Sequence, residues 1–67
     1  MLDWKGAGQT WDAKGIEYDY CVVSDRDGIY WKRIFKDGYL DDIGPAHTVS
    51  EAMGICKKHD NSFRTQI

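Results

Sequence analysis

Between Ile16 and Ile43 the chain alternates. IEYDYCVVS, 16–24, steps with period two and is rich in β-branched and aromatic side chains, the pattern of a half-buried strand. GIYWKRIFK, 28–36, repeats it, and YLDDI, 39–43, predicts a shorter third strand. Turn residues separate these runs. Asp37-Gly38 has the chemistry of a two-residue type I′ hairpin, which needs positive φ at both central positions. Asp25-Arg26-Asp27-Gly28 suits a longer hairpin loop closing on glycine. Gly44-Pro45 is expected to break the third strand, because proline has no N–H to give to a ladder. The period then changes. Thr48-Val49-Ser50-Glu51 matches a capping box. Val49, Ala52, Met53, Ile55 and Cys56 follow on one side of a helix, with Ser50, Glu51, Gly54, Lys57 and Lys58 on the other, ending near Asp60-Asn61. The opening MLDWKGAGQTW reads as a loop or short edge strand whose Trp4 and Trp11 cap the core. The prediction is one compact α+β domain over residues 1–67, a three- or four-stranded antiparallel β-meander packed against one C-terminal α-helix.

Parity then sorts the side chains, since a one-residue slip would turn a whole strand over. A four-residue loop at 25–28 sets Ser24 opposite Ile29, Val22 opposite Trp31, Tyr20 opposite Arg33 and Tyr18 opposite Phe35. A tight Asp37-Gly38 turn sets Phe35 opposite Leu40 and Arg33 opposite Asp42. One face collects Ile16, Tyr18, Tyr20, Val22, Ile29, Trp31, Phe35 and Leu40 and is the one for the helix to cover, with Arg33 and Asp42 paired at its margin. The other collects Asp19, Cys21, Val23, Tyr30, Lys32, Ile34, Lys36, Tyr39, Asp41 and Ile43, with Glu17 placed to pair with Lys36. Tyr30, Ile34, Tyr39 and Ile43 would make an apolar stripe there. An exposed stripe of this kind marks contact with a partner; the alternative is that Trp4 or Trp11 folds back over it.

Composition narrows the class. A chain of 67 residues holds one thin core, which its three tryptophans, four tyrosines and two phenylalanines enlarge. No apolar run approaches the length of a membrane span, and the first residues carry no apolar signal core, so a cytoplasmic setting with reduced Cys21 and Cys56 is expected. The net charge of −2 is unevenly spread: residues 28–36 carry Lys32, Arg33 and Lys36 with no acid, and residues 37–51 carry Asp37, Asp41, Asp42 and Glu51 with no arginine or lysine.

Reactive chemistry is sparse. Cys56-x-x-His59 puts two zinc ligands one helical turn apart, but Cys21 and His47 complete no tight knuckle, and Cys56 fits the buried helix stripe. No cysteine-hydrolase signature surrounds Cys21, and no GK[ST] loop is present to cradle phosphates. The expectation is a non-enzymatic chain with no cofactor and no metal. Alternating Tyr30, Lys32, Ile34 and Lys36 look like a base-stacking sheet face, which makes nucleic-acid binding the second reading. Glu17, Asp19 and Asp41 on that face would repel phosphates.

Strand, DG turn, strand, DG turn, short strand and then HTVSEAMGICKKHDN, spanning Trp11 to His59, resembles the small accessory proteins of bacteriophages and prophages. The strand–turn–helix order is also similar to phage-integrase DNA-binding domains and to the HicB antitoxin half-domain, whose proline-rich segment this chain lacks. The phage resemblance implies a protein that acts by binding, as anti-CRISPR proteins do, on a host protein or defence complex. On this reading the partner-binding residues are Tyr30, Lys32, Ile34, Lys36 and Tyr39, with Asp41 and Asp42, joined by Asp37 and Glu51, as an acidic cluster.

Overall fold

The computed structural model describes residues 2–64. Five strands, β1 (Lys5–Ala7), β2 (Thr10–Lys14), β3 (Tyr18–Asp25), β4 (Gly28–Phe35) and β5 (Leu40–Ala46), precede one helix, α1 (Val49–Arg64). The strands form a single antiparallel meander in sequence order, and α1 packs across β3, β4 and β5. The α+β meander with a C-terminal helix is as the alternation predicts. The strand count is five rather than three or four, because the opening segment is a hairpin in its own right, with Gly6 opposite Trp11 and Ala7 opposite Thr10.

The β3–β4 register follows parity: Tyr18 faces Phe35, Tyr20 faces Arg33, Val22 faces Trp31 and Ser24 faces Ile29. The loop is one pair tighter than expected, closing at Asp25 opposite Gly28. Asp25 Oδ1 accepts from the Asp27 and Gly28 N–H groups at 2.8 and 3.2 Å.

The β4–β5 turn differs from the type I′ expectation. Gly38 takes φ +97°, but among the described residues no non-glycine residue has positive φ, so Asp37 does not supply the first central position of that turn. The loop holds three residues instead. Gly38 N–H donates to Phe35 O at 2.9 Å and Phe35 N–H to Tyr39 O at 2.8 Å. Ile34 therefore stands opposite Leu40, while Arg33 still stands opposite Asp42, and Asp41 is the extra residue of a β-bulge between those pairs. The correction moves Leu40 from the helix face to the face of Ile34 and displaces Tyr39 from the outward stripe.

Gly44-Pro45 does not end the third strand, which runs on to Ala46. β5 is the sheet's edge, where a residue without an N–H costs no ladder bond if its nitrogen points outward. Gly44 lies opposite Trp31, and a Cβ there would fall on the indole, so the bare backbone is the seat of that ring.

The core lies between sheet and helix. Tyr20, Val22, Ala52 and Cys56 are at most 1% exposed, with Leu2, Trp4, Trp11, Ile29, Trp31 and Met53 packed around them. Small side chains at Ala52 and Cys56 let the helix come close, and the large rings fill the remaining width. Thr48 Oγ1 caps α1 by accepting from Glu51 N–H at 3.0 Å. Glu51 reaches one residue further back than a capping box requires, accepting from His47 N–H at 2.7 Å. That bond, chiefly, holds the Glu51 carboxyl below its usual range. The helix passes the expected Asp60-Asn61 stop because Asp60 is a core residue, 1% exposed. Its Oδ1 accepts from Ile16 N–H at 2.8 Å, and its Oδ2 pairs with Arg64.

Candidate functional site

The two faces of the sheet have different fates. Trp4 and Trp11 both pack with the helix-side cluster, so neither folds back over the outward face. That face has no covering element among the described residues, as antiparallel sheets allow. Register builds it from three cross-strand rows. Ala7, Thr10, Val23, Tyr30 and Pro45 form one. Lys5, Asp12, Cys21, Lys32 and Ile43 form the second. Lys14, Asp19, Ile34 and Leu40 form the third.

The face has two halves. Over β3–β5 an apolar stripe of Val23, Tyr30, Ile34, Leu40, Ile43 and Pro45 surrounds Lys32. Leu40 is 55% exposed and Ile43 48%. The Tyr30 hydroxyl turns back along the hairpin and donates to Asp27 O at 3.4 Å, which fixes the ring over that end of the sheet. Over β1–β3 charges alternate in sign around a shallow concavity of about 430 Å³ lined by Asp3, Lys5, Asp12, Lys14, Asp19 and Ile34, with Ala13 and Tyr20 also at its wall.

The expected partner residues separate. Tyr30, Lys32 and Ile34 come together on the open face. Lys36 joins them at the edge, but its ammonium is bound at 2.6 Å to Gly15 O and at 2.8 Å to Asp19, rather than to Glu17. Tyr39 is 72% exposed beside the turn, outside the stripe. Asp41 and Asp42 are drawn to Arg33 by the bulge, at 2.6 and 3.3 Å. Asp41 is therefore not on the Lys32 face as alternation had placed it. Asp37 accepts from Tyr39 N–H and Glu51 caps α1, so the four acids do not act as one cluster.

Arg33 belongs to the opposite side, where it also lies 5.5 Å from the centroid of the Tyr18 ring. Tyr18, Phe35, His59 and Phe63 form a ring cluster there, and the Tyr20 hydroxyl meets His59 Nδ1 at 2.7 Å. Burial first, then the Arg33 charge, holds the His59 imidazole below its usual range. Burial, reinforced by Asp60, raises the Tyr20 phenol.

The candidate nucleophile and its histidines are apart. Cys21 sits on the open face, where burial and then a hydrogen bond to Asp12 push its thiol up to about 11. His59 is engaged with Tyr20 across the sheet, and the His47 side chain is 94% exposed at the helix cap. Cys56 lies in the core, its thiol pushed up to about 12 by burial. Among the described residues no three His, Cys, Asp or Glu side chains gather as a metal-ligand set. Nor is any helix among them long and apolar enough to cross a membrane.

Several residues of the face escape a reading by alternation. Lys5, Asp12 and Lys14 lie on two strands that the two-tryptophan opening did not reveal, Pro45 follows a glycine that signals a break, and Leu40 changes side at the bulge. Comparison with protein-family models, curated proteins and solved structures finds no match to this chain.

Proposed function

We propose that this chain is a non-enzymatic binding domain that takes up a protein partner on the open face of its sheet. One observation carries the reading: six apolar residues converge on a sheet face while the tryptophans that might cover them are committed to the other side. Contiguous exposed apolar surface rimmed by polar residues is a signature of protein contact. Tyr30 and Ile34 would form the centre of the contact, and Lys36 would stand at its rim. In its narrower form the reading is of a phage-encoded inhibitor of a host protein, supported by the resemblance of the meander and its capped helix.

The test is affinity capture from a host lysate, with and without nuclease, using the native chain and the variant Tyr30→Ala/Ile43→Thr. The reading expects a stoichiometric protein that survives nuclease and is lost with the variant, whose melting curve stays close to that of the native chain. Capture abolished by nuclease would turn the assignment to nucleic acid. Unfolding of the variant would show the stripe to be core.

A further inference from the structure

We infer that the partner meets the open face with an acidic side chain set in an apolar surface, and that its carboxylate docks on Lys32. The inference rests on the reading of the open face as the binding surface. Lys32 stands within the stripe. Tyr30 and Ile34 flank it along β4, Ile43 lies directly across on β5, and Cys21 lies directly across on β3. Lys36 has its counter-charge in Asp19. Lys32 does not: among the described residues no carboxylate lies within ion-pair distance of its ammonium. The acid in its own cross-strand row, Asp12, is two strands away, with Cys21 standing between it and Lys32. Asp41, which simple alternation would place diagonal to Lys32, has been taken to Arg33 by the bulge.

A partner covering the stripe therefore also covers an uncompensated cation. Removing an ammonium from water without a counter-charge opposes binding, whereas a carboxylate supplied from across the interface offsets that penalty. A lysine at such a position can lay its stem along apolar surface and carry its charge outward to meet the carboxylate. A protein carboxylate fits the surroundings better than a phosphate. The stripe is aliphatic apart from Tyr30, whereas platforms for bases use several aromatic rings.

The experiment maps amide shifts of the full-length chain against three probes. These are a short capped peptide with one Glu among Leu, Phe and Ile, its Glu→Gln analogue, and an oligothymidine. The Glu peptide should move the amides of Tyr30, Lys32, Ile34 and Ile43 and bind about five-fold or more tighter than the Gln peptide. Lys32→Met should erase that preference without weakening binding of the Gln peptide, and Lys32→Gln should reproduce the loss if the methionine variant fails to fold. Equal binding of the two peptides at the open face overturns the inference and leaves the binding-face reading standing. No open-face shift with any probe at about 1 mM overturns both. Salt-sensitive binding of the oligothymidine alone overturns the inference in favour of nucleic acid.

Discussion

Asp60 Oδ1 accepts a hydrogen bond from the backbone N–H of Ile16 at 2.8 Å, tying the last turns of the helix to the bend between β2 and β3. The carboxylate is 1% exposed and also pairs with Arg64 at 3.0 Å. Gly15 makes room for it, since a Cβ there would lie 2.6 Å from Asp60 Oδ1 and 2.6 Å from Tyr18 O. Asp60→Ala removes the acceptor, leaves the Ile16 N–H without its partner and should cost about 1–3 kcal/mol in urea unfolding. Asp60→Asn, which keeps an oxygen acceptor, should cost less. Equal losses would assign the effect to the Arg64 ion pair.

Stability should fall on both sides of neutrality. The folded state holds His59 below its ordinary value of 6.5 through burial and Arg33. The unfolded chain therefore takes up the proton first as the pH drops below 6.5, and stability declines with it. His59→Asn should flatten that acid limb of the melting-temperature profile. At the alkaline end the sign reverses. Cys21 and Cys56 rise from 9.0 to about 11 and about 12, and Tyr20 rises from 10.0. The folded state keeps protons that the unfolded state gives up, so stability is lost as pH climbs above 9. Tyr20→Phe should remove the part of this loss that begins near pH 10.

Gly44 and Trp31 form a coupled pair. Gly44→Ala drives a methyl group into the indole and should destabilise by about 1–3 kcal/mol. Reducing the ring with Trp31→Leu should make the added methyl cheaper, giving a coupling of about 0.5 kcal/mol or more in a double-mutant cycle. Additive losses would show that Gly44 is needed for its backbone and not for the space above it.

The open face should be nearly silent in stability measurements. Leu40→Thr and Ile43→Thr change exposed side chains and should each shift unfolding by no more than about 0.5 kcal/mol. Tyr20→Ala, on the opposite side of the same sheet, should cost about 3–5 kcal/mol. This contrast separates a solvent-facing surface from one kept for folding.

What alternation could reveal was the central hairpin and the helix. Tyr18, Tyr20 and Val22 point one way and Cys21 and Val23 the other because period two is a property of the backbone, and the turn at Asp25–Gly28 preserves it. The pattern was silent wherever the structure breaks periodicity. A bulge is one residue of backbone geometry, and neither Asp41 nor Asp42 differs in kind from an ordinary edge acid. Only the Arg33 guanidinium, opposite both, gives it a reason. β1 and β2 are short, with Gly6 inside β1 and Gly8 between the two, so propensity hides what pairing of β2 with β3, and of β1 with β2, makes strands. Asp60 reads as a helix stop from sequence, and only its placement against Ile16 N–H makes it a buried anchor. For the open face, Tyr30, Lys32 and Ile34 were legible, whereas Leu40, Pro45 and the charges of β1 and β2 depended on registers that sequence spacing does not encode.

The bulge at Asp41 also separates the hairpin tip from the rest of β5. A three-residue loop displaces the strand by one position relative to a tight turn, and the extra residue returns it, so Arg33 meets Asp42 and Trp31 meets Gly44 as if the loop were short. Two opposite offsets cancel within a few residues. Changes of length at Asp37–Gly38, beyond Lys36 and its ties to Gly15 and Asp19, can therefore be absorbed before Asp42, leaving the seat of Trp31 and the Lys32–Ile43 pair in place. The tip is thus a natural grafting position, where a reporter or epitope would ride on the domain without disturbing either of its faces.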